Sequence, residues 1–470
     1  MKHPRASETD DEFDIPNFGP TTGERMEMEF GKGRSKVPSW GRISISMARI
    51  MDVPFPGALG MFLDVDDCDI AAQTRDYAAF HTRNVAKHLD ELLGKEYTAL
   101  AVAGYPASSG IPLGAPGYLD AECGPAVVEN HLFVGTRFLT NRDGVRLVVI
   151  QGPRESRLAE DGRQLTVPYS DYSVRVLYAR GVETAALDLL NSLETRMHAK
   201  HIFRGQKIRP YGEFLRLKKR GWDDIYLDPS VMDEIQKNVL FTISNAERLK
   251  EVGIPLARGL LLEGPPGTGK SLLCTVVANE TAYTFILVSP QEVTRLSDIK
   301  FLFDVAKELA PTIILFEDID FLGEDRSQSM TKHLLGELLV QMDSLESREG
   351  VVVLATSNRP GILDAALINR PGRFDRRLVI DLPVREQRVR ILEIALKSLK
   401  VTREGLDLVQ IAASTEGFSG AKLRNLVETA ALEAMTEDGK ETPSVTMGHF
   451  ESALNRVKGN GPRTQQTYVR

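Results

Sequence analysis

The chain has 470 residues, a formal net charge of −7 and no run of about 18 apolar residues, so no membrane span is expected. It is too long for one ordinary core, and two or three domains of roughly 100–200 residues are expected. The acidic balance argues against nucleic acid as the main partner. The three cysteines, Cys68, Cys123 and Cys274, are far apart without metal-ligand spacing, which fits a reducing, cytoplasmic setting.

Residues 1–40 are rich in Gly, Pro and charged residues and hold no apolar signal core, so they read as a disordered or partner-dependent segment. Residues 41–206 read as a separate α+β domain. In "TRDYAAFHTRNVAKHLDELLGKEY" the spacing of Tyr77, Phe80, Val85, Leu89, Leu92 and Leu93 predicts a helix. "YTALAVAGY", "VRLVVIQG" and "SVRVLYARG" predict strands, "YPASSGIPLGAPGY" a loop, and "VETAALDLLNSLETRMHAKH" a second helix. No catalytic signature stands out here. "AECGPAVVENH" pairs a cysteine with a histidine. A thiol nucleophile needs a base within reach, which sequence proximity does not supply, so Cys123 reads as a small buried residue beside a turn ahead of a nucleophile. "RLKKRG", residues 216–221, reads as a phosphate contact or as part of a solvated linker over 207–221.

From Trp222 apolar runs alternate with helical patterns, as in βα units over a parallel sheet (222–383). From Val384 the pattern is helical to 458, followed by a loose tail, 459–470. "RGLLLEGPPGTGKSLLCTVVANE" carries G-x-x-x-x-G-K-[ST] between a predicted strand and a predicted helix. Glycines let backbone N–H groups curl around phosphate oxygens, and the helix N-terminus adds positive potential. Gly264, Pro265, Pro266, Gly267, Thr268 and Gly269 are the expected cradle, continued by Lys270, Ser271 and Leu272. Lys270 should reach the β- and γ-phosphates, and Ser271 should ligate Mg²⁺.

A second strand, "TIILF", ends in Glu317 and Asp318. On an adjacent parallel strand these acids would sit beside the phosphate loop, one on the metal's side and one orienting the attacking water. A third strand, "GVVVLATSN", brings Asn358 to the same edge. "LINRPGRFDRR" follows, with Arg370 and Arg373 as candidate arginine fingers in an oligomer.

These segments in order, closed by "GFSGAKLRNLVETAAL", resemble the AAA branch of the AAA+ ATPases over roughly Trp222 to Lys458. The resemblance implies an α/β fold: an αβα nucleotide domain with a parallel sheet and a C-terminal helical lid, preceded here by the separate α+β domain. It implies ATP and Mg²⁺ as cofactors and a ring, most often a hexamer. Gly264–Ser271 matches the Walker A segment, Glu317 and Asp318 the Walker B pair, and Asn358 the sensor asparagine. Ser271 and Glu317 are the implied metal-side residues. Arg370 and Arg373 match the pair that reaches the neighbouring subunit's nucleotide. Gly420 and Ala421 fall where the lid backs the adenine, and Asp224, Ile225 and Tyr226 where the entry segment lines the base.

The order Glu-Asp inverts the family's usual Asp-Glu. It is similar to the branch containing the mitochondrial translocase of the Rieske protein. Glu317, one methylene longer, can take the metal side while Asp318 reaches the water. The aromatic–apolar–Gly pore loop of many members does not follow "YTFILVS", where the chain reads "PQEVTRLSDIKFLFDVA". The expected function is an ATP hydrolase that remodels or disassembles a protein complex, with residues 41–206 selecting the client. The alternative is an ATP-bound scaffold or switch with slow hydrolysis.

Overall fold

The computed structural model describes residues 55–104, 115–153, 171–253, 258–320, 328–343, 350–359, 373–374, 376–438 and 443–459. The segment 1–40, the tail 460–470, most of the "YPASSGIPLGAPGY" loop and Arg370 lie outside them.

The N-terminal region is built on a six-stranded antiparallel sheet. Its strands are β1 (Ile70–Tyr77), β2 (Thr98–Ala103), β3 (Gly117–Gly124), β4 (Val127–Thr140), β5 (Arg146–Pro153) and β6 (Tyr172–Ala179). The order is β1-β6-β5-β4-β2, with β3 paired to β4 as a hairpin. Both faces are covered. Leu147 and Val149 of β5 pack under the helices Thr82–Glu96 and Glu183–Ala199, while Val148 and Ile150 pack under the helix Phe55–Leu63. An antiparallel strand buried on both faces reads as a continuous apolar run, which explains "RLVVIQG". The helix expected from Thr74 starts only at Thr82. Tyr77 ends β1, paired with Tyr172, because the stretch before it alternates between faces of the sheet.

The second sheet is parallel, in the order β12-β8-β11-β10-β9-β7. These strands are β7 (Lys207–Ile208), β8 (Arg258–Glu263), β9 (Thr284–Val288), β10 (Thr312–Phe316), β11 (Val351–Ser357) and β12 (Arg376–Val379). Apolar clusters lie on both faces, as wholly buried parallel strands require. The segment expected to be a linker thus supplies an edge strand, Lys207 pairing with Phe285. "RLKKRG" lies against the helix Lys270–Glu280: Asn279 donates to the carbonyls of Lys218 and Arg220. Helices Arg385–Lys397, Leu408–Ser414, Gly420–Asp438 and Met447–Gly459 share one apolar core and form the lid.

The two sheets do not meet through a loose tether. Phe80, Ile202 and Phe203 belong to the same apolar cluster as Ile286, Leu302 and Phe316 of the parallel-sheet half. Phe80 lies tilted against Phe203 with ring centres 4.8 Å apart and meets Phe301 edge-on at 5.9 Å, on the helix Leu296–Glu308.

Gly259 in β8 marks a tight approach. A Cβ there would lie 2.1 Å from the Arg373 carbonyl oxygen and 2.7 Å from the Met342 side chain. Gly259→Ala is expected to destabilise the protein by about 1–3 kcal/mol through overpacking, read as a lowered urea midpoint at unchanged slope.

Candidate nucleotide site

The site grows from the C-terminal ends of three parallel strands. Ser357 of β11 pairs with Glu263 of β8, and Phe316 of β10 pairs with Ala355 of β11. The next residues, Gly264, Glu317 and Asn358, therefore leave the sheet at one edge. β8 is flanked by β11 and β12, so strand order reverses there. In open α/β sheets that is where ligands bind. The expectation that β10 neighbours β8 needs correction: β11 lies between them. The acids approach the phosphate loop from two strands away.

The loop after β8 takes the backbone its glycines allow. Gly267 and Gly269 have φ of 79° and 108°, in the region costly for other residues. A Cβ on Gly267 would also meet Ser419 and Ala421 of the lid at 2.8 and 2.9 Å. Ala421 donates its N–H to the Gly267 carbonyl at 3.0 Å, so lid and loop already touch. The helix Lys270–Glu280 begins at once, its N-terminus facing the loop. Lys270 is buried, and its ammonium donates to the carbonyls of Gly264 and Pro265 at 2.7 and 2.9 Å. Burial pulls its pKa down, and the facing Asp318 and Asp320 oppose that.

Between loop and lid lies a cavity of about 450 Å³, the size of a small-molecule site. It is lined by Pro266 through Leu272, by Asp318 and Asn358, by Asp224, Ile225 and Tyr226, and by Gly420 and Ala421. Gly264 and Pro265 sit behind the lining. Four lining residues were not singled out in the sequence: Ile391, Ile394 and Ala395 on the first lid helix, and Arg424. The i, i+3, i+4 spacing of the first three was the available signal. With Ile225 they form an apolar wall suited to a flat base.

The two acids divide. The Ser271 hydroxyl lies close enough to Glu317 to favour its ionised form, so the two expected metal-side residues are neighbours. Asp318 accepts from the Asn358 amide at 2.7 Å, and its own N–H donates to Thr356 Oγ1 at 2.9 Å. Asp318 is held at φ 47°, an uncommon conformation for a residue with a side chain. A third acid, Asp320, was passed over although it ends "LFEDID". It is 4% exposed and accepts the Asn358 N–H at 3.2 Å. Burial, then the neighbouring Asp318, raises the Glu317 pKa. Burial, then Asp320, raises that of Asp318. The partly buried acids repel one another, and a cation relieves that repulsion. This donor set fits Mg²⁺, which takes carboxylate, hydroxyl and water oxygens along with substrate phosphates. Ser271 and Glu317 would hold it, and it would neutralise charge on the phosphates.

Arg373 is not part of this pocket. It is 8% exposed and makes a bidentate pair with Asp343 of its own chain, both contacts at 2.7 Å. Reaching another subunit would require that pair, half of which is the exposed Asp343, to open.

A phosphate loop at the strand-order reversal, paired acids, a polar amide beyond them and a helical cover define a P-loop nucleotide-binding protein. Comparison narrows the class. Residues 260–382 match the ATPase family associated with various cellular activities (AAA), and residues 405–452 match the AAA+ lid domain. The chain carries an AAA ATPase domain with its AAA+ lid. It is 38% identical over 261 residues to the mitochondrial ATP-dependent zinc metalloprotease FTSH 3 of Arabidopsis thaliana, covering 52% of this chain and 32% of that protein. It is 35% identical over 252 residues to the ATP-dependent zinc metalloprotease FtsH of Halothermothrix orenii, covering 51% and 39%. Protein CdcH of Halobacterium salinarum is 30% identical over 423 residues, covering 84% and 56%. The chain thus spans roughly a third of the length of the first two relatives. No helix among the described residues is long and apolar enough to cross a membrane.

Raised carboxylates must still ionise to hold a metal or orient water, so kcat/KM for ATP should fall on the acid side above the ordinary carboxylate range. Asp320→Asn keeps the acceptor for the Asn358 N–H and removes one repelling charge. Its acid limb should therefore move to lower pH in kcat/KM profiles.

Proposed function

We propose that this chain is a Mg²⁺-dependent ATPase that assembles into a ring, remodelling or taking apart a protein complex selected by its N-terminal sheet. The observation that carries the reading is the arrangement at the pocket. Ser271 meets Glu317, Asp318 meets Asn358, and lid and loop enclose a nucleotide-sized cavity between them. In the reversed acid pair, Glu317 takes the metal side and Asp318 orients water. Arg370 is the better finger candidate, since Arg373 is engaged with Asp343. Ring assembly, a hexamer above all, follows from the family resemblance. The free thiols Cys68, Cys123 and Cys274 support the cytoplasmic setting proposed with it.

Two features support remodelling over threading of an unfolded chain. The segment after β9 is folded back on itself. Glu292 accepts from Ser289 N–H at 2.7 Å and pairs with Arg209 at 3.1 Å, while Asp298 accepts from the N–H groups of Thr294 and Arg295. It offers no aromatic side chain for gripping a chain. The helix Leu296–Glu308, which follows it and leads into β10, is the one Phe80 and Phe203 press upon. A movement of the acid-bearing strand therefore has a packed route to the N-terminal sheet, whose hairpin exposes Tyr118, Val127 and Val128. Metalloprotease is what the relatives' names say of those proteins. The sequence holds no H-E-x-x-H segment.

Asp318→Asn should bind ATP with near-normal affinity and turn it over about 10²–10⁴-fold more slowly, whereas Lys270→Ala should lose ATP binding by calorimetry. Equal, very slow turnover in the unmodified chain and Asp318→Asn would favour the switch reading. A permanently unfolded reporter polypeptide offered to the full-length chain with ATP should show no ATP-dependent translocation by fluorescence transfer. Efficient translocation would defeat the remodelling assignment.

A further inference from the structure

Two clusters of metal-ligating side chains lie outside the nucleotide site among the described residues: His81–His201–Glu308 and Cys123–Glu129–His131. The first is closed by its own hydrogen bonds. Phe203 N–H points at His201 Nδ1 at 3.2 Å, so the neutral ring carries its proton on Nε2, the atom facing His81 Nδ1 at 3.4 Å. His81 Nε2 then faces Glu308 at 3.4 Å. A metal on His201 Nε2 would leave a protonated Nδ1 opposed to an N–H donor.

The second cluster has the opposite character. Glu129 and His131 are two apart on β4 and share a face. Ala121 on β3 pairs with Glu129, and Cys123 lies two residues further along the same strand. Cys123 falls within the register shift between Glu122 and Gly124, a bulge of the kind that re-aims a side chain beside a site. Its Sγ, a Glu129 oxygen and a His131 ring nitrogen all lie within 4.8 Å of one another, and Cys123 and His131 are buried. His131 Nε2 is 3.0 Å from Glu129 Oε2, close to the roughly 3.3 Å edge of a tetrahedron with ~2.0 Å bonds.

The outer groups are those of a metal-bound histidine. His131 Nδ1 faces Asp90 Oδ2 at 2.9 Å, leaving Nε2 for the cluster. Asp90 is pinned in turn by the Leu132 N–H at 3.3 Å and by Arg137, which also holds Gln151. Gln151 bonds the Leu132 carbonyl and the hydroxyl of fully buried Tyr172 at 2.6 and 2.9 Å. A buried network thus fixes one ring in one orientation. Opposing a metal, Lys87 donates to both Glu129 oxygens at 2.7 and 2.8 Å. Burial works against a charged His131, but Asp90 and Cys123 hold its pKa up at about 10, so a metal must displace a proton there.

We propose that Cys123, Glu129 and His131 bind Zn²⁺, or a divalent transition metal of similar softness, with water completing the tetrahedron. A thiolate with an imidazole selects such ions over Mg²⁺ and Ca²⁺, which prefer oxygen. The ligands come from one hairpin, and Asp90 joins it to the helix Thr82–Glu96. The ion would clip β3 to β4, and Asp90 would tie that clip to the helix.

The full-length chain, loaded with Zn²⁺ alone and passed over a desalting column, should retain zinc by elemental analysis. Cys123→Ser and His131→Gln should lose it, while Cys68→Ser should not. Asp90→Asn, a positioning change, should weaken binding about 10–100-fold. Lys87→Met, by removing the competing cation, should tighten it. The unmodified chain with Co²⁺ should show thiolate-to-cobalt charge-transfer absorption, a readout independent of any variant's folding. No such absorption, no retained zinc, or zinc lost in His201→Gln and kept in Cys123→Ser would overturn the assignment.

Discussion

The parallel pairing of β11 between β8 and β10 is the constraint on which the nucleotide pocket depends. Its register runs Ser357 to Glu263 on one side and Ala355 to Phe316 on the other. Because the strands are parallel, their C-terminal ends share one edge, and the phosphate loop, the acids and the amide emerge there together. A shift of one residue would turn each of these side chains to the opposite face. The sheet is buried on both faces, so such a shift would also bury polar groups and expose apolar ones. Glu263 shows how tightly this is set: it is fully buried at the end of β8 and held by Arg377 of β12.

At that edge the chemistry is set by crowding of like charge. Glu317, Asp318 and Asp320 lie in partly desolvated surroundings with Lys270 as the facing cation. A site of this composition is electrostatically incomplete and is completed by a metal bound with a polyphosphate. The inverted acid order is absorbed by reach. The longer side chain meets Ser271, and the shorter one, on a left-handed backbone, meets Asn358.

The N-terminal sheet follows a different plan. It is antiparallel yet covered on both faces, and it rests on the parallel-sheet half through Phe80, Ile202 and Phe203. Beneath its hairpin runs the polar network of Tyr172, Gln151, Arg137 and Asp90. Buried polar groups of this kind must be fully partnered to be tolerated, and here the partners converge on one histidine.

Local patterning determined much of this protein. Apolar runs marked β2, β5, β6, β8, β10 and β11, and helical spacing marked the helices after β6 and β8, because burial selects apolar residues at the positions each element turns inward. The spacing G-x-x-x-x-G-K-S determined the phosphate loop, since only glycines tolerate the backbone it needs. The tertiary structure alone decided which strands are neighbours. The acids are two strands from the loop, and Lys207–Ile208 is a strand because β9 offers an edge for it to pair with. It alone gave Arg373 a partner thirty residues away in Asp343, and placed Ile391, Ile394, Ala395 and Arg424 at the pocket. Cys123 illustrates the limit. Eight residues separate it from His131, and no spacing rule marks the pair. They meet because a hairpin folds back and a bulge turns one side chain, and contacts made by register leave no local periodicity to read.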